Sequence, residues 1–462
     1  MRTLFAALAI SLIATSCGGG AGIGSSSGGG NAGAGSLLNV QVAGSAMSKV
    51  RPTQQGWVGM AETLRRLTDY TAPDRHLVLS ADGAGGSGQW SPPAGWSLID
   101  FAVHPSGHIS AVLANQVSIR LVRLSATGAV LAESDFTDPA ALTDPYIGDE
   151  IYLRNPNALV PHATRDAVRI APVGEQLAMV LRTGRNAVVA YRLVHGAAGY
   201  QASWRTLVEP GVAIGSVFIT GGTFDPFSGL ENQWRLAMDV DARGRIAVAV
   251  LMNRTELAAG HAQHFGEPVS PNVVHGAILT VVAENGQRSP STVIDTGRRP
   301  EIHAVKWLGD KVAVGGRVFT ESRADGTGWD GLVAVADPYL RTLRPIQLLD
   351  VDRGDVVFDF AAAPGGQLLA VGSTGYVQNP AGASISEDAA PMAALLDADG
   401  KFVRRIPMVS APRHNQVRSV FAWKDGRWLA AGMQEGPGTH TGDDNLALIK
   451  ANGFVRDFRA DQ

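Results

Sequence analysis

The chain has 462 residues, a net charge of -3, 45% hydrophobic residues and 18% charged ones. That balance gives no basic face for nucleic acid, and no apolar run after the first residues is long enough to span a bilayer. Glycine occurs 55 times, which together with the low charge suits short strands and tight turns better than long solvated helices.

Met1-Arg2 supplies a positive start, Leu4 to Ile13 an apolar core, and Ala14-Thr15-Ser16 a small-residue run before Cys17. This is the layout of a secretory signal over residues 1–16. It resembles a bacterial lipoprotein signal, in which the cysteine is lipidated and becomes the new N-terminus. Ala14 departs from that pattern, where leucine is commoner. The resemblance implies an exported, lipid-anchored protein of the cell envelope, and Gly18 after the cysteine implies the outer membrane. Cys17 is the only cysteine, so a lipidated Cys17 leaves no thiol for disulfides, catalysis or metal binding. Residues 18–36 are almost entirely Gly, Ser and Ala, so that 17–36 reads as a lipidated cysteine and a flexible tether.

Residues 37–97 carry mixed signals. Leu38 to Val42 alternates like a strand, Glu62 to Tyr70 suits a helix or a strand, and His76 to Ser80 reads as a strand. From residue 98 to 462 a hairpin recurs. Leu98 to Val103 turns into Ile109 to Leu113, Val168 to Ile170 into Leu177 to Leu181, and Leu236 to Val240 into Ile246 to Leu251. Ile302 to Trp307 turns into Val312 to Gly316, Val356 to Phe360 into Leu368 to Gly372, and Val417 to Trp423 into Trp428 to Gly432. The spacing of roughly sixty residues calls for a repeat architecture. A second strand pair follows each hairpin: Leu332 to Ala336 with Ile346 to Leu349, Ala393 to Leu396 with Phe402 to Ile406, and Leu446 to Lys450 with Phe454 to Phe458. Turn dipeptides such as Asn285-Gly286, Asp399-Gly400 and Asn452-Gly453 suit tight hairpins.

Four strands per unit, arranged radially, make a β-propeller blade. The expectation is therefore an all-β fold: a single β-propeller with six recognisable four-stranded blades. Residues 37–97 supply either a degenerate seventh blade or a ring-closing segment, since a closed ring leaves no strand edge exposed. Innermost strands are expected to be almost wholly apolar, as in Val356 to Phe360. The Leu-Leu-Ala-Val-Gly strand ending at Gly372, the Asp444 to Leu448 strand and the Asn452-Gly453 turn resemble the propeller repeats of secreted and surface bacterial proteins. That resemblance is one of fold and implies no particular activity.

Connections between second and third strands share a face with those between blades, and here they are long: Gly316 to Trp329, Gly372 to Pro391 and Gly432 to Asp443. Long loops on a rigid ring concentrate binding groups, so that face and the central funnel are the expected ligand-binding surface. Its acids include Glu321, Asp325, Asp330, Asp388, Asp443 and Asp444, and Trp329 offers a ring that either stacks on a sugar or covers a blade edge. Arg154, His162, Arg299, Arg413 and His414 fall between blades, where they line the funnel or form salt bridges. Paired carboxylates suit acid/base work at a glycosidic bond, but an Asp before a third strand more often accepts turn hydrogen bonds.

Asp350, Asp352 and Asp355 alternate near Gly354, a pattern that admits calcium yet lacks the further acids of a calcium loop. His261 and His264, with Glu256 nearby, form a His-x-x-His pair read as exposed loop histidines. No phosphate loop, nucleophile elbow or His-Glu-x-x-His occurs. Two functions stand side by side: an envelope-anchored binding or scaffold module with a protein, peptide or glycan ligand, and a hydrolase or lyase acting on polysaccharide through funnel carboxylates.

Overall fold

The computed structural model describes residues 38–63, 74–80, 88–115, 118–136, 168–182, 187–210, 236–252, 255–267, 276–298, 300–320, 328–339, 346–352, 354–375, 389–408, 410, 415–434 and 452–459. Its strands form seven antiparallel four-stranded sheets. Blade 1 holds β2 (Ala46–Pro52), β3 (Trp57–Thr63), β4 (Asp74–Ser80) and β5 (Gly88–Trp90). Blade 2 holds β6 (Ser97–Val103), β7 (Ile109–Ala114), β8 (Ile119–Leu124) and β9 (Val130–Phe136). Blade 3 holds β10 (Val168–Val173), β11 (Gln176–Arg182), β12 (Val188–Gly196) and β13 (Gly199–Glu209). Blade 4 holds β14 (Leu236–Val240), β15 (Ile246–Met252), β16 (Gly276–Val282) and β17 (Thr292–Asp295), with helix α1 (Thr255–Phe265) between β15 and β16. Blade 5 holds β18 (Pro300–Leu308), β19 (Lys311–Phe319), β20 (Trp329–Ala336) and β21 (Gln347–Leu349). Blade 6 holds β22 (Val356–Ala362), β23 (Leu368–Thr374), β24 (Ala390–Leu396) and β25 (Phe402–Arg405).

Blade 7 is composite. Its order is β26 (Gln416–Ala422), β27 (Trp428–Gln434), β28 (Asn452–Phe458) and then β1 (Asn39–Val42), the first strand among the described residues. Asn39 pairs with Arg456 and Val42 with Gly453, and the Leu38 amide donates to Asp457 Oδ1 at 2.6 Å. Residues 37–97 thus supply both the seventh blade and the closing strand.

Two expectations are corrected. Phe454 to Phe458 is the third strand of its blade, because β1 already fills the fourth place. Asn452-Gly453 opens β28 instead of turning between strands; Gly453 lies opposite Val42 and Met433, and a Cβ there would sit 2.7 Å from Met47 Cγ. The expected strand Leu446 to Lys450 lies outside the described residues.

The ring is held by one apolar cluster at every blade boundary. Blades 1 and 2 share Leu77, Leu79, Leu98 and Phe101, while blades 7 and 1 share Leu429, Val455, Val50 and Trp57. Middle strands serve two boundaries at once. In β15, Ala247, Ala249 and Leu251 face blade 5 while Ile246, Val248 and Val250 face blade 3. This is strand alternation with both faces covered. Each fully buried Leu, Ile or Phe contributes roughly 1.5–3 kcal/mol.

The innermost strand bulges in five blades, with register shifts at Met47/Lys49, Leu98/Asp100, Ile302/Ala304, Val357/Asp359 and Val417/Ser419. A bulge re-aims the side chains after it. In blades 5, 6 and 7 a glycine of the second strand lies opposite the residue before the bulge. A Cβ on Gly316, Gly372 or Gly432 would fall 1.8, 1.8 or 1.9 Å from the carbonyl oxygen of Glu301, Val356 or Gln416. Only glycine admits so close a backbone approach.

Candidate functional site: the central channel

The seven innermost strands surround a cavity of about 430 Å³. Its wall is more polar than the sequence reading expected, because the bulges turn charged side chains toward the axis and the next blade. In blades 1, 2, 6 and 7 the position after the bulge carries a link to a neighbouring blade, whereas blade 5 has Ala304 there and blade 4, without a bulge, links through Asp239. Asp100 Oδ2 accepts the Ile170 amide of blade 3 at 2.9 Å, and its Oδ1 accepts Lys49 Nζ of blade 1 at 2.6 Å. Asp359 Oδ2 accepts the Val420 amide at 3.0 Å and Ser419 Oγ at 3.1 Å, both in blade 7. Ser419 Oγ in turn accepts the Val50 amide of blade 1 at 3.3 Å. Asp239 of blade 4 accepts the Trp307 amide of blade 5 at 3.0 Å, with Lys306 Nζ at 3.1 Å.

These acids are therefore committed to blade-to-blade bonds. Burial by itself raises the Asp100 carboxyl, but the charges of Lys49 and Arg169 and the bonds it accepts outweigh that and hold it below the usual carboxylate range. Asp100 stays ionised and is a poor general acid. Burial brings Lys49 down to about 8, against the pull of Asp100.

Among the described residues the lining holds six basic side chains, Lys49, Arg51, Arg75, Arg169, Lys306 and Arg418, and four acidic ones, Glu62, Asp100, Asp239 and Asp359. Arg75 pairs with Glu62 at 3.1 Å. Arg51 donates to neutral oxygens, the Val50 carbonyl at 2.7 Å and Ser419 Oγ at 3.2 Å, and its guanidinium lies 5.3 Å from the centre of the Phe421 ring.

Of the residues singled out in the sequence, Cys17, Arg154, His162, Arg299, Glu321, Asp325, Asp388, Arg413, His414, Asp443 and Asp444 lie outside the described residues. Trp329 opens β20 and is 7% exposed. Arg317 stacks on it at 4.2 Å and Phe319 meets it edge-on at 5.4 Å, so the ring packs within the blade instead of facing a ligand. Asp330 beside it is half-buried. Asp350 and Asp352 are exposed, whereas Asp355 is buried and Oδ2 accepts the Val351 and Asp352 amides at 2.6 and 3.1 Å. Asp355 closes its own loop instead of sharing an ion with Asp350 and Asp352, and no group of metal-ligating side chains converges among the described residues.

The histidine pair sits on α1, not on a loop. His264 is exposed, but His261 is 1% exposed. Its Nδ1 lies 2.7 Å from Glu209 Oε2 and its Nε2 lies 3.1 Å from Glu267 Oε2. The ring bridges two carboxylates with opposite nitrogens, a geometry that cannot place all three on one metal. Burial raises the Glu209 carboxyl. Glu267, bound by Arg288 at 2.7 Å and the Ser291 amide at 2.9 Å, is held low despite its own burial. This network fastens α1 to blades 3 and 4.

The channel residues are absent from the sequence-based expectations because innermost strands are expected to be almost wholly apolar. The signal was present: Asp100, Asp239 and Asp359 each interrupt an otherwise apolar run.

No protein-family profile matches the chain, and no curated protein matches it in sequence. In backbone it is similar to a catalytically inactive virginiamycin B lyase from Staphylococcus aureus with quinupristin, at 9% identity over 91% of this chain and 99% of that one, with a TM-score of 0.44. It is similar to the Dos1 propeller at 9% identity over 89% and 77%, with a TM-score of 0.45. It is also similar to YCF48 bound to D1 peptide, at 11% identity over 92% and 94%, with a TM-score of 0.44. At these identities the likeness is one of fold alone: the chain is an all-β, seven-bladed β-propeller.

Proposed function

We propose that this propeller is a binding module of the bacterial envelope, tethered through a lipidated Cys17. It engages a protein, peptide or glycan ligand with its long-loop face and the adjoining channel. The observation that carries the reading is the state of the channel acids. Asp100, Asp239 and Asp359 are each engaged by backbone amides of the neighbouring blade, and hydrolysis needs a carboxyl free to exchange a proton. A rigid ring with a polar axial cavity supports recognition better than acid/base chemistry. The test is affinity capture from envelope extracts with the chain from residue 37 immobilised through its N-terminus. A retained, saturable macromolecular ligand is expected; polysaccharide cleavage by the purified chain with no retained ligand would overturn the reading. Metabolic acyl labelling tests the tether: Cys17→Ser is expected to lose the label and to leave the membrane fraction.

A further inference from the structure

We infer that Lys49 is a covalent capture site in the central channel, an amine that takes a small aldehyde or ketone as an imine. The inference rests on reading the channel as a place where ligands bind, and it names the chemical class that one side chain of the wall receives. The cavity of about 430 Å³ lies in the size range of small-ligand sites.

Lys49 follows the register shift in the innermost strand β2, between Met47 and Lys49. A bulge re-aims the side chain after it, and Lys49 lines the cavity. Its side chain is 15% exposed, so the amine is neither sealed in the core nor free in solvent. Two oxygens of blade 2 hold Nζ in place, Asp100 Oδ1 at 2.6 Å and the Phe101 carbonyl at 2.7 Å. The Phe101 ring centre lies 5.1 Å from the same nitrogen. Burial lowers this ammonium to about 8, with the charges of Arg51 and Arg169 acting in the same direction and Asp100 against it. Desolvation beside other cations is what makes a lysine nucleophilic near neutral pH.

The step needs no oxidant or reductant. The ammonium releases one proton, and the freed lone pair forms the C–N bond while the carbonyl π pair moves to oxygen. A proton shifts from nitrogen to that oxygen, giving the carbinolamine. The released proton returns as the hydroxyl leaves as water, and the nitrogen lone pair forms the C=N bond. Ammonium and carbonyl compound thus become a protonated imine and one water. The imine keeps the positive charge and one N–H, so it still pairs with Asp100, and the bond from blade 1 to blade 2 survives capture.

The experiment is reductive alkylation of the full chain in neutral detergent, with propanal as the probe and sodium cyanoborohydride to fix the imine, read by peptide mass spectrometry. Lys311, Lys401 and Lys424 are exposed and serve as internal controls. At pH 7 a fall from 10.5 to about 8 raises the free-amine fraction on the order of 300-fold. A weaker base is a poorer nucleophile and the channel restricts access, so Lys49 is expected to be labelled at least about tenfold faster than each control. Its rate should level off above pH 8 while the controls continue to climb, and in concentrated urea the preference should vanish. Labelling of Lys49 no faster than the controls, a rate that climbs with theirs beyond pH 9, or a preference that persists in urea would overturn the inference. If an envelope ligand is captured but Lys49 shows no preference, this inference fails while the binding-module reading stands. If Lys49 is preferred and nothing is captured, the reverse holds.

Discussion

Replacing Asp355 by asparagine should stabilise this protein at neutral pH. The side chain is fully buried, and burial pushes its carboxyl from 3.8 up to about 6, although Thr374 and the Asp352 and Val351 amides favour the charged form. A folded-state value raised in this way favours the fold while the group is protonated, and that contribution is lost as pH rises through about 6. The gap of roughly two pH units corresponds to about 3 kcal/mol at pH 7.5, shrinking to about 1 kcal/mol near pH 4.5. Asparagine suits the site because both amides donate to one oxygen, Oδ2, while Oδ1 accepts no described hydrogen bond. The amide oxygen takes the first role and its nitrogen the second. Urea unfolding of wild type and Asp355→Asn, followed by tryptophan fluorescence at both pH values, measures the difference. A variant equally destabilised at both would refute the reasoning, since the carboxylate would then be supporting the loop through its charge.

Other consequences follow from the ring. Gly372→Ala forces a methyl onto the Val356 carbonyl and should cost about 1–3 kcal/mol or more, read as a lower urea midpoint. Arg317→Met leaves Glu301, bound at 2.7 and 2.8 Å and buried with it, without its main cation; a loss of about 3–5 kcal/mol is expected, largely recovered when Glu301→Gln is added. Deleting residues up to Gly44 removes β1 and bares the edge of β28, so gel filtration should show self-association where the complete chain elutes as a discrete species.

The architecture was legible where the physics is local. Apolar runs flanking glycine turns marked six hairpins correctly, because strand alternation and turn chemistry are written within a dozen residues. Blade 7 was misread because its fourth strand comes from Asn39 to Val42, and nothing near Phe458 announces a partner over 400 residues away. The glycine closing the second strand at Gly316, Gly372 and Gly432 is visible in the sequence, but its cause, a carbonyl pressed against it beside a bulge in the preceding strand, exists only in the folded blade. For the same reason the channel wall went unread. A bulge breaks the period of two, so Asp100 and Asp359 look like core positions in the sequence and stand beside the axis in three dimensions.

The composite blade also sets an order on folding. The earliest residues of the wheel find their hydrogen-bonding partners only in its seventh blade, with Asn39 matched to Arg456. Every preceding blade can assemble as it emerges, yet the circle stays open until Asn452–Phe458 has been made. Contacts of such long separation form late and slowly. A prematurely terminated chain would therefore lack its clasp altogether, leaving two raw sheet edges for chaperones or proteases to find.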